Sequence, residues 1–332
     1  MTVDTWEINW SHGRGTVQAL GGMLGPVHFR LPDDRFVQPF ALFPWREEIP
    51  PHGHAPLVGL MAHGGGEWPC VPFGEDPCSV KSAWQPPLHG EAAHGVWKRT
   101  DDGRDPSSLT LQYRCGPAGP IETLYRQIKG NAGEASIECS LIIRARQACR
   151  VPVGLHPTLR VPERPGQLVL HPGDFDFAMT YPREVEADAD LLAPDTTFLD
   201  LSCAPRRNGQ AIDLTRYPLA VATESIVQMC GIDGHVSVEN LDEHYRVDLD
   251  WDAAQLPSCV LWISNGGRAS WPWSRRHFAL GIEPVCSAFD LGLAASTRPN
   301  AISDQGIATA MNLDPSVPTV IRYKMSVAAS TR

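Results

Sequence analysis

Three short motifs place a histidine or a glutamate beside glycine or proline, a setting suited to acid and base chemistry. The motifs are LHG at 88–90, GLHPTL at 154–159 and GIEP at 281–284. In the last two, the proline restricts the residue before it to extended backbone, so His156 and Glu283 project from a strand end with little freedom. Held on one sheet face, they could act as general acid and general base. The same spacing also fits two hydrogen-bonded residues at strand ends.

Two further histidine patterns lack the partners that a metal or nucleotide site needs. His52 and His54 have an H-x-H spacing, but positions 55–59 contain no carboxylate to complete a metal site. His63 precedes three glycines without the Lys-Ser/Thr of a phosphate loop. Cys286 has no histidine at a diagnostic spacing and is interpreted as a buried thiol. These patterns favour neither a metal nor a nucleotide.

Tryptophans could supply stacking surfaces for a sugar, because sugars present apolar C–H faces beside their hydroxyls. The chain contains ten of them. Trp68 and Trp273, each next to a proline, are predicted to line a cleft, whereas Trp97 and Trp262 are assigned to the core. The basic run SRRH at 274–277 could contact a phosphate, although such arginines are usually solvated.

The elements that must position these residues are predicted to be β-strands. Apolar and polar residues alternate with a period of two in segments at 16–20, 109–113, 121–129, 136–146, 235–240, 245–251, 259–264, 277–284 and 320–327. The 29 glycines and 30 prolines favour turns, and helical periodicity is hard to find. We therefore predict an all-β protein, a large antiparallel β-sandwich, built as a single domain over residues 1–332.

Composition and charge exclude several classes of function. Lysine and arginine number 28 against 38 acidic residues, so the net charge of −10 offers no field for nucleic acid. No apolar run reaches the roughly 18 residues of a membrane helix, and the N-terminal segment does not resemble a secretory signal. The nine cysteines fit no disulfide or zinc spacing and are interpreted as reduced thiols. We expect a cytoplasmic protein without nucleic acid or membrane partners; its oligomeric state stays open.

Several motifs occur in an order that resembles the aldose 1-epimerase, or galactose mutarotase-like, family. They are LHG followed by Trp97, GLHPTL, CVLWISN and ALGIEPVCSAFD. The His-Gly motif, the His-Pro motif and a strand ending in Glu-Pro match the family in order and separation. The early GGMLGPV turn and FALFPWRE loop are also similar, so the resemblance covers nearly the whole chain.

The resemblance implies a sandwich of large twisted antiparallel sheets with an open sugar cleft on one concave face. In that family a glutamate takes the proton of the anomeric hydroxyl while a histidine protonates the ring oxygen, which opens the ring and permits reclosure as the other anomer. By this resemblance Glu283 is the general base, His156 the general acid and His89 a residue that binds the sugar substrate. No metal and no other cofactor is implied.

The chain departs from its relatives at positions that would contact the sugar. Ala93 stands where relatives often have an arginine a few residues after the His-Gly motif. On the early loop, where many relatives have an asparagine-arginine pair, the candidate arginine is Arg46. Glu224 stands where many relatives place an aspartate against sugar hydroxyls. These departures leave two alternatives open, a non-catalytic carbohydrate-binding protein on the same fold and an enzyme acting on another sugar bond. The identity of the sugar, and whether it is phosphorylated, is also open.

Overall fold

Strands are the main regular secondary structure in the computed structural model, which describes residues 4–77 and 84–330. In chain order they are β1 (Thr5–Trp10), β2 (Gly13–Gln18), β3 (Leu24–Arg30), β4 (Phe36–Val37), β5 (Pro69–Cys70), β6 (Lys98–Arg99), β7 (Ser108–Arg114), β8 (Ile121–Gly130), β9 (Ser136–Ala145), β10 (Cys149–Val151), β11 (Val153–Leu155), β12 (Thr158–Arg160), β13 (Leu168–Pro172), β14 (Phe177–Thr180), β15 (Thr197–Phe198), β16 (Ala204–Pro205), β17 (Ala211–Ile212), β18 (Arg216–Tyr217), β19 (Thr223–Cys230), β20 (His235–Asn240), β21 (Tyr245–Trp251), β22 (Ser258–Asn265), β23 (Phe278–Cys286), β24 (Met311–Leu313) and β25 (Thr319–Ala329). The described helices are short: α1 (Leu60–His63), α2 (Glu91–His94), α3 (Gly292–Thr297) and 3₁₀ turns at Leu201–Cys203 and Ser303–Gln305.

Two large antiparallel sheets form the body of the structure. The first has nine strands in the order β18-β13-β20-β21-β25-β9-β8-β7-β6. The second has eight, in the order β15-β14-β19-β22-β23-β11-β5, with β12 also paired to β23. A four-stranded sheet, β1 to β4, and two small pairs, β10 with β24 and β16 with β17, complete the described sheets. The prediction of an all-β antiparallel protein is confirmed.

The two large sheets differ in how they are buried. Strands β21 and β25 alternate between buried and more exposed residues, which is typical of a sheet with one face towards solvent. In contrast, β19 and β22 are buried at every position, and β23 at all but its first. The eight-stranded sheet is therefore covered on both faces, one by the nine-stranded sheet and the other by loops.

Two hydrophobic clusters follow from this arrangement. Side chains on one face of the eight-stranded sheet, such as Leu261 and Leu280, join the core between the large sheets. Because successive side chains point to opposite faces, the neighbouring Trp262 belongs to a second cluster. That cluster also contains Trp68 and Trp273, contributed by the covering loops. The loop-covered face is thus unusually aromatic.

Two further predictions concerned membrane helices and disulfide bonds. Among the residues that the structure describes, no helix is long and apolar enough to cross a membrane. The eight described cysteines are free thiols, and five of them are buried. The ninth, Cys78, lies outside the described residues.

Candidate active site

The His-Pro and Glu-Pro motifs come together because their strands are neighbours. Strands β11 and β12 pair with β23 on either side of the interruption at Pro157, and the register is the same on both sides. His156 therefore lies opposite Glu283. The N–H of Ile282 donates to the carbonyl of Pro157 at 2.9 Å, which ties the interruption to β23.

The two side chains meet in a closely packed, buried pair. Nε2 of His156 lies 3.2 Å from Oε1 of Glu283, and the side chains are 5% and 3% exposed. Nδ1 of His156 lies 3.1 Å from the Thr158 hydroxyl, which orients the ring from its other side. Oε1 of Glu283 makes no aligned hydrogen bond to any described residue, so it keeps its capacity to accept one.

Burial pushes both members of the pair towards their neutral forms. It raises the pKa of Glu283 well above its ordinary value, and the charge of Asp290 adds to the rise. It lowers the pKa of His156 well below its ordinary value, and His89 adds to the fall. Two groups this close titrate as a unit. The arrangement can therefore give up a proton at one atom and take one up at the other.

Trp68 covers the face of the His156 imidazole. The N–H of His156 donates to the Trp68 carbonyl at 2.9 Å, so the two residues are neighbours across the sheet edge. Their rings stack with centroids 4.0 Å apart and planes 18° apart. The indole fixes the plane of the imidazole and excludes water from one side of it. The structure places Trp68 in the cleft, where the sequence predicted it.

His89 lies beside His156 as a neutral hydrogen-bond donor. Its backbone has a positive φ of 60°, and its N–H donates to the carbonyl of Gly74 at 3.0 Å. The N–H of Gly74 in turn donates to Nδ1 of His89 at 3.3 Å, which assigns the ring proton to Nε2. Burial lowers the pKa of His89 to about 3, so the ring is uncharged near neutral pH.

Trp262 belongs to the second hydrophobic cluster, which confirms its assignment to the core, and it also lines the cleft. It is only 8% exposed, yet its indole forms part of the cleft wall. Glu224 lies behind it, accepting hydrogen bonds from Trp262 Nε1 at 2.7 Å and from the Ser264 hydroxyl at 3.1 Å. Glu224 is not among the cleft-lining residues, so its contact with a sugar stays a prediction. Through the first of these bonds it holds the indole of Trp262 in place.

Trp273 and Arg268 close the same side of the cleft. The Arg268 guanidinium lies over the Trp273 ring, 4.3 Å from its centroid. It also lies 3.4 Å from a Glu224 carboxylate oxygen and 3.8 Å from one of Glu186. Sequence analysis predicted Trp273 but missed Arg268, whose only signal was its position just after the Gly-Gly that ends β22.

The other basic residues singled out in the sequence do not reach the cleft. Arg46 lines a neighbouring groove, where it donates to the Gln18 side chain at 2.9 Å. In the SRRH run, Arg275 is exposed and Arg276 forms an ion pair with Glu48. This placement favours the solvated alternative for SRRH. Sugar binding by Arg46 stays a prediction without a contact that supports it.

The resulting cleft is sized and lined for a small, partly apolar ligand. It has a volume of about 590 Å³ when its open mouth is included. Mostly apolar walls with few polar groups are typical of small-molecule sites. The lining residues are Phe43, Leu60, Met61, Trp68, Leu88, His89, His156, Ile226, Val260, Trp262, Arg268, Trp273, Glu283 and Asp290. Asp290 is the last residue of ALGIEPVCSAFD, and no sequence signal assigned it a role.

Comparison with solved structures decides the fold. No family model and no curated protein matches the chain. An Escherichia coli K12 protein provisionally assigned as an aldose 1-epimerase matches with a TM-score of 0.67 at 15% identity, over 99% of this chain and 100% of its own. A galactose mutarotase-like protein from Lactobacillus casei matches at 0.62 and 12%, over 98% and 100%. A GalM/aldose epimerase homologue from C. elegans matches at 0.62 and 10%, over 99% and 100%. This chain has the galactose mutarotase-like fold.

The galactose mutarotase-like fold confirms the architecture expected from the order of the three motifs. Identities of 10 to 15% establish the architecture alone. The roles of Glu283, His156 and His89 within this fold therefore rest on the geometry described above.

Proposed function

We propose that the protein is an aldose 1-epimerase-like isomerase, which interconverts the anomers of an aldose by acid- and base-assisted ring opening. One observation carries the proposal. A histidine nitrogen and a carboxylate oxygen lie 3.2 Å apart, both buried, at the wall of a cleft that is also lined by three tryptophans. The general base would be Glu283 and the general acid His156.

The short separation suits this reaction because both proton transfers involve oxygens bonded to one carbon. The carboxylate of Glu283 takes the proton of the anomeric hydroxyl, O1–H, as the C1–O1 double bond forms. The C1–O5 bond breaks, and Nε2–H of His156 gives its proton to O5. After rotation about C1–C2, the reverse transfers close the ring on the opposite face of C1. The pair ends with the same single proton that it held at the start.

Residues around the pair support binding of a sugar. The indoles of Trp68, Trp262 and Trp273 offer stacking surfaces for apolar C–H faces. His89 offers a neutral N–H donor for a hydroxyl. A proton relay works only when the reacting group is positioned closely, and these contacts would supply that positioning.

The charges around the cleft favour a sugar without a phosphate. Arg268 is the cation among the lining residues, and it is already engaged with Glu224, Glu186 and an indole. Glu283 and Asp290 add carboxylates to the same wall. A phosphate dianion would meet more negative than available positive charge, so we propose a neutral aldose as the substrate class.

Anomer exchange followed by NMR tests the proposal. The purified protein is added to freshly dissolved D-galactose, D-glucose and their 6-phosphates, and the exchange rates are compared with those of Glu283→Gln and His156→Asn. Each substitution keeps a similar shape but removes one proton-transfer group, so we expect a loss of about 10²- to 10⁴-fold. Glu138→Gln, at an exposed carboxylate on β9, serves as the matched control and should exchange at the wild-type rate.

Two outcomes would overturn the assignment. Retained exchange in Glu283→Gln would remove the proposed base. Binding of a sugar by the wild type without any acceleration of exchange would support the non-catalytic carbohydrate-binding alternative.

A further inference from the structure

Asp290 brings a second carboxylate into the cleft. It follows the end of β23, seven positions after Glu283, and lines the same cavity. Its Oδ1 is buried and has no hydrogen-bond partner among residues 4–77 and 84–330. A buried acceptor without a partner is costly, because it has lost its water without a replacement. The acceptor is therefore available to a ligand with hydroxyl donors.

The backbone around Asp290 is held in place by several independent contacts. Phe289 has a positive φ of 49°, which is rare for a bulky residue. Its N–H donates to the buried side chain of Gln228 at 2.6 Å. The N–H of Glu75 donates to the Asp290 carbonyl at 3.1 Å. A Cβ at Gly74 would lie 2.3 Å from that same carbonyl oxygen, so only glycine fits there. A strained backbone conformation that several contacts hold in place is found most often at functional sites.

Burial and the groups around Asp290 act on its pKa in opposite directions. Burial raises its pKa, while the Tyr181 hydroxyl and the guanidinium groups of Arg183 and Arg268 oppose that rise. Tyr181 packs edge-on against Phe289, with ring centroids 5.4 Å apart. Asp290 is thus a cleft-lining residue whose Oδ1 is left without a hydrogen-bond partner in the described part of the chain.

We propose that Asp290 is a substrate-binding and specificity-determining residue, whose carboxylate accepts a hydrogen bond from one hydroxyl of the sugar. The proposal rests on the sugar substrate proposed above and adds a residue to it. Glu283 is committed to the anomeric hydroxyl, so Asp290 is the carboxylate of the cleft wall that can recognise a hydroxyl elsewhere on the ring. A site built around such a bond discriminates strongly against a sugar that lacks the hydroxyl.

A cycle of protein variants and deoxy sugars tests this inference. Wild type, Asp290→Ala and Asp290→Asn are titrated calorimetrically with D-galactose and D-glucose and with their 2-, 3-, 4- and 6-deoxy derivatives. Hydrogen bonds to charged groups lead us to expect a 10- to 150-fold weaker Kd for Asp290→Ala with the parent sugar. With one deoxy derivative the loss should shrink to less than about threefold, because the partner hydroxyl is already missing. The kcat for anomer exchange should fall much less than the affinity.

A control variant and the possible outcomes of the titrations distinguish a failure of this inference from a failure of the proposed function. Asp304→Asn, at an exposed position in a 3₁₀ turn, should behave as the wild type in every titration. If Asp290→Ala weakens all sugars equally, or none, the inference is overturned. Should Asp290→Ala fail to fold, Asp290→Asn decides, since its amide cannot reproduce a charged acceptor and should show the same selective loss. Binding without exchange in the wild type would count against the isomerase alone, because the titrations need no turnover.

Discussion

The pair formed by Glu283 and His156 is most stable when the two side chains share one titratable proton. Burial raises the pKa of the carboxyl and lowers that of the imidazole, so the doubly protonated and fully deprotonated pairs, which carry net charge, are both disfavoured. The pair with a single proton is neutral overall and is favoured. The two atoms lie 3.2 Å apart, so both belong to one proton-transfer unit.

We expect kcat/KM for anomer exchange to have a bell-shaped pH dependence. On the acid side, a second proton blocks the base. The apparent pKa of this limb should lie below 6.5, the ordinary value for histidine, because burial lowers the pKa of His156. On the alkaline side, the pair loses its last proton. The apparent pKa of this limb should lie above 4.5, the ordinary value for glutamate, because burial raises the pKa of Glu283. Initial exchange rates measured between about pH 4 and about pH 10 check this expectation.

Trp68→Leu should move the acid limb of that profile to higher pH. The shorter side chain admits water beside His156, which relieves the desolvation that holds its pKa down. Trp6→Leu, on β1, is the control and should leave both limbs in place. An acid limb unaffected by Trp68→Leu would contradict the assignment of that limb to His156.

Sequence reasoning succeeded for residues whose position is set by local backbone. His156 precedes a proline at the interruption between β11 and β12, as predicted. Glu283 and Pro284 instead lie within β23, which continues to Cys286, so the strand end predicted there was wrong. Arg46 was less predictable, since a long side chain can reach several places and here it reaches Gln18. Asp290 could not be found at all, because its orientation depends on a strained turn that packs against the backbone of Gly74.

At the scale of elements, the centre of β23 is shaped to admit the side chain of Glu283. Gly281 lies opposite Trp262 of β22. A Cβ on Gly281 would lie 2.4 Å from Oε1 of Glu283 and 3.0 Å from Cβ of Trp262. The missing side chain therefore provides the space that the carboxylate occupies.

Gly281→Ala should damage catalysis more than folding. The added methyl group must displace the Glu283 carboxylate, and a displacement of about 1 Å can cost on the order of 100-fold in rate. Overpacking of this kind typically costs about 1–3 kcal/mol of unfolding free energy. Anomer exchange and urea unfolding measure the two effects. Gly116→Ala is the control, since its Cβ would come no closer than 3.3 Å to the flexible Glu91 side chain. Equal activity in the two variants would contradict this interpretation.

Strands with one solvated face were predictable, and of the strands buried on both faces β22 and β23 were predicted as well, whereas β19 was not. The predicted segment at 235–240 coincides with β20, and those at 121–129 and 136–146 differ from β8 and β9 by one residue. Strand β19 has no polar alternation because loops cover its second face, so period two gives no signal there. Strands β11 and β12 are only three residues each, too short for any periodicity.

At the scale of the whole molecule, a buried ion pair connects the nine-stranded sheet to the active site. Arg126 lies on β8, and its guanidinium contacts the carboxylate of Glu67, the residue before Trp68. The side chains are 2% and 1% exposed. The ion pair therefore connects the segment that carries Trp68 to the nine-stranded sheet.

Breaking this ion pair from one side should be strongly destabilising. We expect Arg126→Met to lower the unfolding free energy by about 3–5 kcal/mol, because it leaves the Glu67 carboxylate buried without its partner. The double variant Arg126→Met with Glu67→Met should recover a large part of that loss. Urea unfolding measures both. Arg164→Met, which removes an exposed ion pair with Asp242, should cost less than about 1 kcal/mol. A double variant no more stable than Arg126→Met would refute the account.

The composition and periodicity of the chain predicted its fold class but not the position of its cleft. Glycine, proline and the period-two segments were enough for an all-β fold, whereas the cleft depends on loops whose paths no periodicity encodes. We propose that residues 1–332 act as one catalytic domain. The cytoplasmic location stays a prediction from sequence.

The stacking of Trp68 on His156 has an optical consequence. Indole emission is quenched by a protonated imidazole in contact with it and much less by a neutral one. With ring centroids 4.0 Å apart, this tryptophan is placed to report on the charge of the proposed acid. The chain has ten tryptophans, so the difference in emission between the wild type and Trp68→Leu isolates this signal, and its change with pH follows the protonation of His156.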